Sequence, residues 1–89
     1  MKITKDYEGL KDIGYAYELQ GDLISDDCIE IELGNKRLVV SGTISAKTYI
    51  KAGCDIKAGR GIEAGRGIEA GCDIEAGWGI EAGCDIKAG

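Results

Sequence analysis

The chain has 89 residues and a net charge of −5, and it contains 15 Gly but no Pro, His or Phe. An acidic chain is excluded as a general binder of nucleic acid or of anionic membrane, because both interactions need a basic surface. The length allows one small domain, and this much Gly folds only where a regular structure offsets its backbone entropy.

The N-terminal residues predict a cytosolic protein. Residues 1–6 lack the apolar core of a secretory signal, and no stretch reaches the length of a membrane span. We therefore expect a cytoplasmic location, in the cell of origin or in a host cell. In that compartment the four cysteines are expected to be thiols.

Two early segments are expected to be strands. Residues 15–19 and 28–33 alternate apolar and polar side chains, and Gly34 with Asn35 marks a turn after the second segment. Residues 28–43 are therefore expected to form either a hairpin or a first irregular rung.

The less regular part of the chain is expected to cap the part that follows. Residues 4–12 are compatible with a short helix. Together with the early strands, they predict an N-terminal cap over residues 1–37, followed by a repeat unit over residues 38–89.

From Leu38 onward the sequence repeats every six residues: an aliphatic residue, then Val or Ala two positions later, then Gly in most hexads. The two apolar residues share one side of a short strand, and the Gly permits a corner. Three hexads then close a triangular rung of 18 residues, and rungs stack about 4.8 Å apart. The predicted fold is all-β: a short triangular β-solenoid of about three such rungs with an N-terminal β-hairpin or cap.

The repeat resembles that of hexapeptide-repeat, left-handed β-helix proteins and, more loosely, that of bactofilin-like solenoids. It departs from the left-handed pattern, because the small residue follows the aliphatic one by two positions instead of preceding it. This departure leaves the handedness of the coil open. The position two residues before each aliphatic residue from Ile56 onward instead carries side chains that we expect at corners or outside the coil: Cys54, Arg60, Arg66, Cys72, Trp78 and Cys84.

Residues three hexads apart are expected to lie side by side on neighbouring rungs. Two of the resulting columns pair opposite charges: Lys51, Glu69 and Lys87 in one, and Lys57 with Glu75 in the other. Such pairs stabilise by about 0.2–1 kcal/mol each. Acids without an opposite charge in their column are candidates for contact with a partner, and the alternative is that water alone surrounds them. They are Glu63, Glu81, Asp55, Asp73 and Asp85, with Asp85 expected on the face of Glu81.

Arg60 is expected to stack beneath Trp78, which is the only Trp of the chain. A guanidinium over an indole is a favourable cation–π pair, and exposed Trp and Arg are frequent hot-spot residues of interfaces. We therefore add both residues to the partner-binding candidates. The alternative is that Trp78 only covers a corner.

The cysteines predict no metal site. Cys54 and Cys72 are expected one rung apart, close enough for oxidation to join them, whereas Cys84 is expected beside Arg66. A zinc site would need Cys28 or an Asp as a further ligand, and the chain lacks a short Cys-x-x-Cys spacing.

The sequence predicts that the protein is not an enzyme and needs no cofactor. The left-handed β-helix acyltransferases use a His as general base, and this chain has none. The Gly-x-Gly triplets belong to the repeat period and precede no helix, so they do not predict a phosphate-binding loop.

Two functions remain. The first is a compact binding module, which resembles the small phage and mobile-element inhibitors of host defence, anti-CRISPR proteins among them. It would block a host protein or nucleoprotein complex, at its nucleic-acid groove or elsewhere. We also expect a homodimer through the open C-terminal rung. The second is a structural solenoid that assembles end to end, as bactofilin-like proteins do.

Overall fold

Each Ile-x-Ala triplet of the repeat forms a short strand in the computed structural model, which describes residues 1–88. Alternate residues of a strand face opposite sides, so the Ile and Ala of Ile50–Ala52 are buried while Lys51 is exposed. In chain order, the strands of the described residues are β1 (Lys2–Ile3), β2 (Lys11–Asp12), β3 (Ala16–Leu19), β4 (Leu23–Ser25), β5 (Ile29–Ile31), β6 (Arg37–Val40), β7 (Ile44–Ala46), β8 (Ile50–Ala52), β9 (Ile56–Ala58), β10 (Gly61–Ala64), β11 (Ile68–Ala70), β12 (Ile74–Ala76), β13 (Gly79–Ala82) and β14 (Ile86–Ala88).

These strands stack into three sheets, which are the faces of a parallel β-solenoid of about four turns. The first face has the order β1-β5-β8-β11-β14, the second β2-β3-β6-β9-β12 and the third β4-β7-β10-β13. In the repeat the chain runs from the first face to the second and then to the third. Within residues 1–88 there is no helix, so the prediction of an all-β solenoid is confirmed.

The sequence separation between stacked residues shortens along the chain. On the first face Ile3 pairs with Ile31, and Ile29 pairs with Ile50, so the second separation is already shorter than the first. From β6 onward each residue pairs with the one three hexads later, as Ile50 does with Ile68. The predicted coil of three hexads is therefore confirmed for the repeat. Segment 1–37 also contributes strands to all three faces, so the solenoid has more turns than the predicted three.

The core is a column of aliphatic side chains inside the coils. Burying one such side chain fully contributes about 1.5–3 kcal/mol. The column opens toward the last coil, where Ile74 and Ile80 are half-buried and Ile86 is 50% exposed. The fully buried members from the hexads are Leu38, Ile44, Ile50, Ile56, Ile62 and Ile68.

The short helix with which the sequence of residues 4–12 is compatible does not form. The segment makes two tight turns, in which the Tyr7 amide donates to the Thr4 carbonyl and the Leu10 amide to the Tyr7 carbonyl. Gly9 has a φ of 89°, outside the helical range, and the segment ends in β2. The two hydrogen-bonded turns do not continue into a helix, because the positive φ of Gly9 interrupts the helical backbone conformation.

Of the two alternatives for residues 28–43, the irregular rung is confirmed. β5 and β6 lie in different sheets and pair with β8 and β9, so they do not form a hairpin with each other. An antiparallel hairpin does exist earlier in the chain, where β2 pairs with β3 at the edge of the second face.

Candidate binding surface

Trp78 stands at the corner between the second and third faces, with a Gly on each side. Its side chain is 79% exposed. The Arg60 guanidinium carbon lies 5.3 Å from the centre of the indole, and the Trp78 amide donates to the Arg60 carbonyl oxygen at 2.8 Å. The predicted stack of Arg60 and Trp78 is thus present, and most of Trp78 remains exposed to solvent.

Glu63 and Glu81 lie side by side on the third face, in register with Ser45. Both are exposed, and neither has a salt bridge within the part of the chain that the structure describes. Lys47 lines the shallow groove of about 420 Å³ on one side of them. The predicted column of like charges is therefore present.

The same two glutamates also line a second groove, of about 440 Å³, whose other wall is Trp78. The glutamate column and the Arg60 and Trp78 stack, which the sequence predicted separately, are therefore adjacent in the structure. We call this contiguous region the Trp78 surface, and it consists of Arg60, Glu63, Trp78 and Glu81.

Asp55 and Asp73 lie elsewhere, at the corner between the first and second faces. Asp55 is not a free acid, because its Oδ2 lies 3.0 Å from Nη2 of Arg37 and its Oδ1 accepts a hydrogen bond from the Asp73 amide at 2.9 Å. Its side chain is only 16% exposed. The expectation that Asp55 lacks a partner is therefore wrong. Arg37 precedes Asp55 by the length of three hexads, so the coil spacing extended upstream of the repeat would have found this pair.

Asp85 lies at the third corner, between the third and first faces, and not beside Glu81 as expected. Its carbonyl oxygen accepts a hydrogen bond from the Ile68 amide at 2.9 Å. Asp85 also lines a groove, together with residues of the first face such as Lys51 and Glu69. The chain has already left the third face at this position, which places Asp85 outside the Trp78 surface.

The two columns of opposite charge are in register as predicted. On the first face, Lys51 and Lys87 flank Glu69, and the Lys51 Nζ lies 3.9 Å from a Glu69 oxygen. On the second face, Lys57 pairs with Glu75. On the third face, by contrast, the stacked side chains of Glu63 and Glu81 carry like charges.

Cys54 and Cys72 meet at the corner between the first and second faces. The ligand atoms of Cys54, Asp55 and Cys72 all lie within 4.8 Å of one another. The charge of Cys54, and then burial, raise the pKa of the Cys72 thiol. Cys28, the other sulfur ligand that the sequence offered, lies at a different corner, where its hydrogen bond with Tyr49 raises the pKa of that phenol.

No protein-family model, curated protein or solved structure matches the chain. Among residues 1–88 there is no helix of the length and apolar character that a membrane crossing requires.

Proposed function

We propose that the protein is a non-enzymatic binding module whose contact surface for another protein is the Trp78 surface. The observation that carries this proposal is the exposure of Trp78, which at 79% is the highest among the exposed large apolar residues of the part of the chain that the structure describes. Trp is among the largest apolar side chains and contributes strongly to binding energy at the centre of interfaces. An indole held outward by Arg60 is suited to enter a pocket of a partner.

The rigidity of the scaffold supports the same proposal. Parallel pairing joins β10 and β13 along their whole length, from Gly61 with Gly79 to Ala64 with Ala82, and the Trp78 amide is bonded to the coil beneath. Little backbone freedom is therefore lost when a partner binds, and more of the interaction energy becomes affinity.

The charges next to Trp78 define the partner. Glu63 and Glu81 repel each other across the coils, and a basic surface on a partner would relieve that repulsion. The partner we propose therefore has a pocket for an aromatic ring beside a cluster of Lys or Arg. A protein or nucleoprotein complex with a nucleic-acid groove has such a surface.

Blocking that groove is the proposed effect. In this role the protein would act as phage and mobile-element inhibitors of host defence do, anti-CRISPR proteins among them, in the host cytoplasm. The small size and the net charge of −5 support such a role. Of the seven candidate residues, only the four of the Trp78 surface enter this proposal.

The test is capture of partners from a bacterial lysate by the tagged full-length protein. We expect Trp78→Ala to weaken capture at least tenfold, or about 1.4 kcal/mol. The double variant Glu63→Lys with Glu81→Lys should have a similar effect, and excess RNA or DNA should compete if the partner's groove binds nucleic acid. If both glutamates can be reversed without weakening capture, the proposal is wrong.

A matched control separates the Trp78 surface from net charge. Glu8→Lys with Asp26→Lys changes the charge by the same amount at exposed positions outside this surface. We expect this variant to capture partners as the unchanged protein does. An equal loss in both double variants would show that overall acidity, and not the Trp78 surface, drives binding.

Self-association is the second candidate function, because apolar side chains are exposed on the last described coil. Ile86 is 50% exposed, and β12, β13 and β14 are the outermost strands of their sheets. Stacking on a second copy would extend the three ladders and cover these residues, as a homodimer or as a bactofilin-like filament. Light scattering with size exclusion tests this: Ile86→Asp should abolish assembly, and a monomer at every concentration would exclude it.

A further inference from the structure

We propose that Cys54, Asp55 and Cys72 form a binding site for a thiophilic divalent cation such as Zn²⁺. We call these residues the thiol corner. Their two sulfur atoms and a carboxylate oxygen lie within 4.8 Å of one another. Two thiolates and a carboxylate are ligands that Zn²⁺ commonly takes in proteins.

The coil register holds the thiol corner together from both sides. On one side Ile50 pairs with Ile68, and on the other Ile56 pairs with Ile74. Because these ladders flank the corner, Cys54 and Cys72 are fixed on adjacent coils without a local Cys-x-x-Cys motif. The site is therefore built by residues three hexads apart, a spacing that only the solenoid brings together.

The ligand separations suit a tetrahedral ion after small side-chain rotations. Zn–S bonds of about 2.3 Å place two sulfur ligands about 3.8 Å apart in a tetrahedron. In the structure the ligand atoms lie no more than 4.8 Å apart, which exceeds the tetrahedral separation by at most about one ångström. Cys72 is exposed, which provides an entry path and leaves the fourth position to water.

Two further groups orient the carboxylate ligand. Arg37 contacts Oδ2 of Asp55 at 3.0 Å, and the Asp73 amide donates to Oδ1 at 2.9 Å. Each oxygen keeps a second lone pair for a cation, and hydrogen-bonded carboxylates are the rule at metal sites. The charges also balance, since two thiolates and one carboxylate meet a divalent cation and the Arg37 guanidinium. Binding releases the two thiol protons to solvent, and the Cys54 thiol gives up its hydrogen bond to the Asn35 carbonyl.

The chain contains its own control for this site. Cys84 and Asp85 occupy the same hexad positions as Cys54 and Asp55 and are exposed. On the neighbouring coil Cys84 meets Arg66, whose carbonyl accepts its amide at 2.6 Å, and not a second thiol. The cation site therefore requires stacked cysteines, and the Cys-Asp dipeptide alone is insufficient.

The test is titration of the reduced full-length protein with Co²⁺, followed by displacement with Zn²⁺. We expect one Co²⁺ per chain, with the charge-transfer absorption of thiolate ligands. Cys54→Ser and Cys72→Ser should each weaken binding at least tenfold, whereas Cys84→Ser should leave it unchanged. No charge-transfer absorption, or equal weakening by Cys84→Ser, would overturn the proposal.

A second measurement needs no variant and so does not depend on the folding of one. Alkylation of the unchanged reduced protein, with and without Zn²⁺, is followed by mass spectrometry. We expect Zn²⁺ to protect Cys54 and Cys72 and to leave Cys84 reactive. Equal reactivity of all three thiols with and without Zn²⁺ would contradict the site.

Discussion

Glycine has one role in the first coils and another in the repeat coils, and a single corner contains both. At the corner between the first and second faces, Gly34 has a φ of 66° and open space where a side chain would stand. Gly71, two coils later, has no positive φ, but a Cβ there would overlap the Gly53 carbonyl oxygen. The first glycine is required by backbone conformation and the second by the close approach of the coil beneath it.

This contrast explains why Gly follows Ala in most hexads of the repeat. Where every coil is three hexads long, each corner lies directly over the one before, and the close approach recurs at Gly59, Gly65, Gly77 and Gly83. Gly53 lies between the two regimes, since its Cβ would be 3.6 Å from the Gly34 carbonyl oxygen. Regular spacing therefore imposes Gly by contact at these corners. Across the longer spacing of the first coils, Gly34 is required by turn geometry, whereas Gly42 is again required by contact, because a Cβ there would lie 2.7 Å from the Gly21 carbonyl oxygen.

Gly71→Ala should have the largest effect on stability. The added methyl group meets backbone, which cannot rotate away, so we expect a loss of about 1–3 kcal/mol in the free energy of unfolding. Urea unfolding followed by circular dichroism measures it. Gly53→Ala at the same corner is the matched control and should change stability by less than about 0.5 kcal/mol. Equal losses in the two variants would refute the contact explanation.

Gly34→Ala should have a smaller effect, about 1–2 kcal/mol, because it forces a side chain into the left-handed region without any clash. Gly34→Asn should recover part of this loss, since Asn adopts that region more readily. Gly71→Asn should recover none of the stability that Gly71→Ala loses. Unfolding curves of the four variants separate the roles, and a recovery at Gly71 would contradict them.

The smallest effect concerns an exposed ion pair of the first coils. Lys36 lies 2.8 Å from Oδ1 of Asp12, and its hydrogen bond, with a second from the Gly14 amide, lowers the pKa of that carboxyl. A lowered pKa means that the pair stabilises the fold above the ordinary Asp value, about 3.9, and that this stabilisation is lost as the pH falls through the lower folded value. Carboxyl NMR titration should find the pKa of Asp12 below that value and rising toward it in Lys36→Gln. An unchanged pKa in that variant would contradict the pairing.

The sequence predicted the structure of the repeat coils better than that of the first coils. The constant spacing of the repeat predicted the Glu63 and Glu81 column and the Arg60 and Trp78 stack, because the period alone determines which residues adjoin. The longer spacings of the first coils were not predicted, because no repeated position marks them. The pair of Arg37 with Asp55 obeys the regular spacing of three hexads, and it was not predicted because Arg37 lies just before the first hexad. The proposed cation site at the thiol corner was not predicted, because its cysteines lie three hexads apart and no Cys-x-x-Cys motif marks them.

The most direct test of the central claim, that residues three hexads apart are neighbours, is a distance measurement between spin labels. In a background with all four cysteines changed to Ser, one label pair replaces Glu63 and Glu81, and a second replaces Glu63 and Glu75. Neighbouring coils lie about 4.8 Å apart, so the first pair should show strong dipolar broadening. The second pair is closer in sequence but lies on different faces, and it should show much less. Broadening that is equal in the two pairs, or stronger in the second, would contradict the coil register and with it both proposed sites.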